Sequence, residues 1–356
     1  MTYEIVPEDL AEEPLNVSES EVISYLTDIL KFHFKKTPYW RRFETDPEAL
    51  IGETVVETVE NLLNAGLSVE EDYLRANWLE FLPENYRGRI RFYQSSGTTR
   101  ERAIGHWDKS YVDYLVAYLR HTLDEIYRLD ELFPSGKMRA LAHGPYGWYQ
   151  DEISELVWSY SGYLYFIGME TDGLKRILEE KGVNEVLRIL SPLVRYTERV
   201  LRRDRINLAR TAPPLVELFG SAREGIETII LSGVGTDVEF LKGVEEEFPN
   251  ARAIPLYGYY LFGDLLGIRK KGKISYYPNW PFTIILPVKK TEDGYRVVGY
   301  GERGMLAFLI ARPEVLVVKV EEETARRVTP TGPFLWDGFS EPRRAIHGGH
   351  EYSNLR

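Results

Sequence analysis

Cysteine is absent from all 356 residues, so no disulfide, thiolate metal ligand or cysteine acyl-enzyme can form anywhere in the chain. Glutamine is nearly absent too. Gln94 and Gln150 stand beside many Glu, Arg and Lys, a balance seen in thermophile proteins. No segment reaches the roughly 18 uninterrupted apolar residues that a membrane span requires. Fixed-period repeats, low-complexity tracts and long Gly/Ser/Pro linkers are all missing, which predicts one continuous domain with subdomains. The stretch from Met1 to Glu21 is acidic and carries neither a secretory signal nor a lipidation motif, so the expected location is the cytoplasm. Lys and Arg number 44 against 55 Asp and Glu, a net charge of −11 that repels polyanions and excludes nucleic acid as the main partner.

What is present fits a folded globular protein. Hydrophobic residues make up 44% and charged residues 28%, and the length suits one large α/β domain or two ordinary ones. Ser18 to Phe34 places Val22, Ile23, Leu26, Ile29 and Leu30 at helical spacing behind a capping serine, and Val55 to Ala65 predicts a second helix. Arg89 to Tyr93 alternates as a strand does, and Trp107 to Ile126 reads as a helix with Asp108 as its cap. Met138 to Ala142, Tyr163 to Ile167 and Ala253 to Leu256 predict strands, and Gly225 to Ser232 predicts a helix end followed by a strand. They are interleaved with helices over Ile153 to Tyr160, Asp172 to Lys181, Val183 to Leu190 and Val238 to Phe248. Such alternation predicts an α/β fold with mainly parallel sheets. After Leu265 short strands and turns predict an antiparallel β region. The expected organisation is an acidic arm over 1–17, an α/β core over 18–265, a β-rich subdomain of the same domain over 266–345 and a flexible tail over 346–356.

The most specific local signal is Gln94-Ser95-Ser96-Gly97-Thr98-Thr99 after a predicted strand. Four hydroxyls and a glycine at a strand end can wrap a polyphosphate, because backbone N–H and side-chain O–H groups converge where glycine removes the Cβ. The same residues also fit a plain polar turn.

This loop resembles the ATP-phosphate loop of the adenylate-forming (acyl-activating) enzymes. Its surroundings resemble the phenylacetate–CoA ligase branch and the acyl-protein synthetases of bacterial bioluminescence. A helix running into Thr37-Pro38-Tyr39-Trp40-Arg41-Arg42-Phe43 is similar to that family's N-terminal entry. Leu231-Ser232-Gly233-Val234-Gly235 resembles its glycine turn near adenine, and Tyr257-Gly258-Tyr259-Tyr260 the start of its Tyr-Gly-x-Thr-Glu element. The pieces occur in the family's order across about Ser18 to Arg344. The resemblance implies the fold of the family's large N-terminal domain, with Ser95, Ser96, Gly97, Thr98, Thr99, Gly233, Tyr257 and Gly258 binding ATP.

This chain also departs from the pattern. Arg100-Glu101-Arg102-Ala103 replaces the usual Gly-x-Pro-Lys, which transfers the lysine's charge to Arg100 or Arg102. The family's magnesium-holding glutamate falls at Leu261, so Asp264, one turn on if the segment is helical, becomes the candidate Mg²⁺ ligand. The ribose-binding aspartate has its nearest match in the acidic run Glu321-Glu322-Glu323, with Glu323 chosen. The chain ends roughly where the small mobile C-terminal domain with its catalytic lysine would begin. The resemblance then implies that a partner subunit or acyl carrier completes the site, with CoA among the candidate acceptors.

His143, at the end of a predicted strand, could orient a substrate carboxylate or be a capped surface histidine. Trp148, Trp158, Tyr163 and Tyr165 could form an acyl pocket or simply be core. His347 and His350 lack a third metal ligand in view, and the pair Arg343-Arg344 carries no expected role. The reading as a whole is ATP- and Mg²⁺-dependent activation of a small-molecule carboxylate to an acyl-adenylate. The alternative is a catalytically weak relative serving as a nucleotide- or acyl-binding regulatory subunit.

Overall fold

Ser18 starts the first helix by reciprocal capping: its Oγ accepts from Glu21 N at 3.3 Å while Glu21 Oε2 accepts from Ser18 N at 2.8 Å. In the computed structural model, which describes residues 13–94, 103–169, 171–232, 236–270 and 272–343, helix α1 spans Glu19–Lys36. It stops at Thr37 because Pro38 forces the preceding residue out of helical geometry. Helices α2 (Val55–Asn64) and α3 (Glu71–Ala76) follow. Strands β1 (Ile90–Gln94) and β2 (Ile104–Asp108) form an antiparallel pair, and Asp108 caps α4 (Lys109–Tyr127) by accepting from Ser110 N at 2.9 Å.

Next come β3 (Arg139–Gly144), α5 (Trp148–Ser159), β4 (Tyr163–Gly168), α6 (Thr171–Lys181), α7 (Val183–Asp204) and β5 (Leu208–Thr211). They continue into β6 (Thr228–Ser232), α8 (Val238–Glu247), β7 (Arg252–Tyr259) and β8 (Gly263–Lys270). The remainder is all strand: β9 (Lys273–Tyr276), β10 (Thr283–Thr291), β11 (Gly294–Val297), β12 (Arg303–Arg312), β13 (Val315–Val328) and β14 (Gly338–Arg343). The architecture is mixed α/β, with a mainly parallel sheet flanked by helices and a separate antiparallel region.

Two compact units share these elements. The first holds residues 1–15 and 87–274, the second residues 16–86 and 275–356. In the first, strands β4, β3, β5, β6 and β7 lie side by side and all parallel, and β8 returns antiparallel to β7. Burial on both faces explains the apolar runs Ala140-Leu141-Ala142 and Ile229-Ile230-Leu231. In the second, β11, β10, β12, β13, β14 and β9 form an antiparallel series. Helix α1 buries Val22, Leu26, Ile29 and Leu30 there, each worth roughly 1.5–3 kcal/mol. Tyr25 Oη donates to Ala311 O at 2.7 Å, and Trp40 Nε1 donates to Leu316 O at 2.9 Å.

Several boundaries differ from expectation. The predicted strand–loop–helix around Gln94 is a hairpin followed by a helix, since β2 takes up Trp107. Helix α7 runs on past Leu190 with Pro192 inside it; Ser191 Oγ donates to Arg188 O at 3.1 Å one turn before the ring. Residues 225–227, read as a helix end, are turn and bend ahead of β6, and the preceding 3₁₀ helix ends at Phe219.

Candidate functional site

Connections diverge in the parallel sheet between β3 and β5: β3 leads outward to β4, whereas β5 leads the other way to β6 and β7. Open α/β sheets hold ligands outside the carboxyl ends of their strands at such a switch point. Because β3, β5, β6 and β7 are parallel, His143, Thr211, Ser232 and Tyr257 all lie at that one edge.

Two polar groups flank the switch point. On β3, His143 is fully buried and turned toward α7, with Nε2 3.0 Å from Thr197 Oγ1 and its ring edge-on to Phe219. Its Nδ1 has no hydrogen-bond partner among the described residues, and burial pushes the imidazole down to about 4, so the ring is neutral. Tyr149 donates to the His143 carbonyl at 3.0 Å. Its ring packs so tightly over the strand end that a Cβ on Gly144 would overlap it.

On β5, Arg210 is turned toward α5 and buried, its guanidinium 4.2 Å over the Tyr149 ring. Arg210 Nη2 lies 2.7 Å from Glu152 Oε1 and also donates to Asp264 Oδ2; Glu152 Oε2 in turn accepts from Asp264 N at 3.2 Å. All three ionic side chains are essentially solvent-free. Two carboxyls therefore share one cation in a dry site. Burial, then the Asp264 charge, pushes Glu152 up to about 8 against the pull of Arg210; burial also raises Asp264. Arg210 stays charged despite burial, held by both acids.

The flanks of the serine–threonine loop are anchored at this edge. Tyr93 Oη donates to Asp151 Oδ2 at 2.7 Å in the first turn of α5, and Arg91 pairs with the same carboxylate. Trp107 Nε1 donates to Tyr260 O at 3.1 Å just beyond β7. A cavity of only about 20 Å³ lies among Arg91, Tyr93, Trp107, Lys109, Asp151 and Glu155.

Ser95, Ser96, Gly97, Thr98, Thr99, Arg100, Arg102 and Gly233 lie outside the described residues, as do His347 and His350. Among the others, His143, Tyr257, Gly258 and Asp264 come together at the sheet edge. Glu323 is a half-buried residue of β13 in the second unit. Asp264 needs correction. Its segment is a strand rather than a helix, and its carboxylate is committed to Arg210. A Cβ on Gly258 would overlap Asp264 Oδ1, so glycine is what admits that carboxylate. Among the described residues no group of three His, Asp or Glu side chains is arranged to hold a metal. The aromatic set separates too. Trp148 opens α5, stacked at a tilt against Trp107, whereas Trp158 lies about 15 Å along that helix, and it and Tyr163 are exposed.

Arg210 and Glu152 went unrecognised in the sequence, yet a signal existed. Tyr149, Glu152, Ile153, Leu156 and Val157 sit at i, i+3, i+4, i+7 and i+8, so Glu152 falls inside a buried stripe.

No protein-family model matches the chain, and no curated protein matches it significantly. Solved structures do. One described as VinN is 11% identical with a TM-score of 0.43, covering 66% of this chain and 57% of its own. An ATP-bound RpMatB-BxBclM chimera is 11% identical at 0.42, covering 66% and 45%. A luciferase-like enzyme from the nonluminescent mealworm Zophobas morio is 13% identical at 0.38, covering 72% and 58%. The chain thus spans about half the length of these structures.

Proposed function

We propose that this chain binds ATP at the carboxyl edge of its parallel sheet and activates a carboxylic acid as an acyl-adenylate. A substrate carboxylate oxygen attacks the α-phosphorus, the new O–P bond forms, and the bond to the β-phosphate oxygen breaks to release pyrophosphate. Ser95 to Thr99 hold the β and γ phosphates with Arg100 or Arg102 supplying charge, and Gly233, Tyr257 and Gly258 border the nucleoside. Such a transfer needs chiefly positioning and charge neutralisation, which hydroxyls, amides and guanidinium groups supply. His143, neutral and with Nδ1 unpartnered, orients the acid. The acceptor thiol, CoA or an acyl carrier, comes from outside, since the chain has no cysteine.

The observation that supports this reading is that His143, Tyr257 and Gly258 lie at one sheet edge, to which the described flanks of the loop are tied through Tyr93 with Asp151 and Trp107 with Tyr260. Calorimetry of ATP with Mg²⁺ tests it. Binding is expected for the native chain and should weaken at least tenfold in Gly97→Val/Thr98→Ala; equal affinity for both contradicts the loop assignment.

A second reading rests on Leu261, which is buried, and on the engagement of Asp264 by Arg210. With no carboxylate ligand for a cation at either position, the chain would bind nucleotide and regulate a partner without turning over. Nucleotide binding without pyrophosphate release under any acid is its signature.

A further inference from the structure

The opposite end of the first unit carries a feature that the adenylation reading leaves unused. Around the start of β7, the end of β8 and helix α8 lies an open hollow of about 620 Å³, lined by Lys242, Arg252, Arg269, Lys270 and Lys273 with Glu245 as its one acid. Five cations against one carboxylate leave a formal excess of four positive charges, in a chain whose net charge is −11. β7 runs from Arg252 at the hollow to Tyr259 at the candidate site, so the two ends stand roughly 20 Å or more apart at about 3.3 Å per residue.

The hollow is built rather than merely charged. Glu245 Oε2 accepts from Arg269 Nη2 at 3.1 Å and its Oε1 from Ala253 N at 3.0 Å, which fixes the Arg269 fork. Arg252 Nη1 donates to Tyr127 O at 2.7 Å, and Tyr127 Oη donates to Gly267 O at 2.6 Å beneath it. Two guanidinium groups are therefore held in place, and three lysines on flexible stems surround them; Lys242 also meets the exposed Glu239 at 2.8 Å. Fixed forks ringed by ammonium groups suit a compact, multiply charged phosphate, which both residue types neutralise. The single aromatic in the lining, Tyr127, is buried with its hydroxyl committed, so no ring is offered for base stacking. The volume matches a small ligand. The chain's net charge of −11 disfavours a long polyanion.

We propose that this hollow is a binding site for a small multivalent phosphate anion, distinct from the site at the carboxyl edge of the sheet and independent of the adenylation reading.

The test is calorimetry of inorganic tripolyphosphate with the full chain in low salt, in the Gly97→Val/Thr98→Ala background so that the loop does not contribute. One anion per chain is expected to bind, at least tenfold more weakly in Lys242→Glu/Lys273→Glu. The neutral pair Lys242→Gln/Lys273→Gln should fall between, and affinity should drop steeply as salt rises. These lysines are exposed, and an unchanged melting temperature will show that the variants fold. No binding in the loop-variant background, or binding unaffected by charge reversal, overturns the site. Tighter capture of an RNA oligonucleotide or an anionic vesicle, lost in the same variants, overturns the assignment to a small anion.

Discussion

His33 in the second unit and His143 in the first are both fully buried, yet they are not the same kind of residue. His33 Nδ1 lies 2.7 Å from Thr37 Oγ1 and Nε2 lies 2.7 Å from Arg312 O. The carbonyl can only accept, so Nε2 carries the proton and both nitrogens are satisfied. His143 makes one such bond and leaves Nδ1 unpartnered among the described residues at the edge where ligands bind. Buried polar groups with every bond made hold a fold together; one left short is open to a further partner.

The buried charges repeat the contrast. In the second unit Arg312 lies 2.8 Å from Glu314, and Lys319 meets Glu71 and Glu321, both of which keep some access to water. Burial raises Glu71, but Lys319 and Arg75 overcome it and hold the carboxyl below its usual range. In the first unit Arg210 faces Glu152 and Asp264 with no water access, and the surplus negative charge is met by a proton. Asymmetry of this kind is costly, and it sits beside the candidate site.

The largest expected effect comes from Arg210→Met, which strands two buried carboxyls. A loss of about 3–5 kcal/mol is expected in urea unfolding, and adding Glu152→Gln and Asp264→Asn should restore most of it. Failure of that rescue would show that Arg210 acts through packing alone.

The Glu152 carboxyl and the two buried histidines should answer pH with opposite signs. Glu152 has a folded value raised to about 8 above its ordinary 4.5. Its contribution is full below 4.5 and is lost as pH rises through 8, because the folded state binds more protons in that window. His33, pushed down by burial to about 3 from 6.5, contributes above 6.5 and loses that contribution as pH falls toward 3; His143 behaves likewise down to about 4. Stability measured from pH 5 to 8 should decline less on the alkaline side in Glu152→Gln than in the native chain. Parallel curves would remove the proton from the cluster.

Next in size, His33→Leu should cost about 1–3 kcal/mol, since it leaves the Thr37 hydroxyl and the Arg312 carbonyl unpaired. His143→Leu should cost less in stability but lower carboxylate-dependent turnover. Equal stability costs with unchanged turnover would erase the distinction between the two histidines. The smallest effect, about 1 kcal/mol, is expected for Ser18→Ala, read as a lower melting temperature.

Much of the fold was legible where the cause is local. The capping box at Ser18, the Asp108 cap and the alternation of helices with apolar strands all act within a few residues. What stayed hidden depends on distant partners. Strand β5 is only Leu-Ala-Arg-Thr, and a lone arginine reads as exposed until Glu152 and Asp264 neutralise it. β13 reads as a strand to Val320 and then as charged surface, yet it runs on because Thr324 to Val328 pair with β14. The expected cut near residue 265 follows a change of texture along the chain, and the joining of residues 16–86 with 275–356 leaves no trace in periodicity. At the candidate site the loop, His143 and Tyr257-Gly258 could be picked out by residue type and strand position. The ionic cluster could not, because its charges matter only through burial. The helical spacing that nominated Asp264 failed because glycine and β-pairing make that segment a strand.

Pyrophosphate release from ATP with Mg²⁺, measured across a panel of aryl and fatty acids, tests the central claim most directly. The account predicts release that depends on at least one carboxylic acid and is lost in Gly97→Val/Thr98→Ala. ATP bound with no acid-dependent release anywhere in the panel would contradict it and leave the regulatory reading in its place.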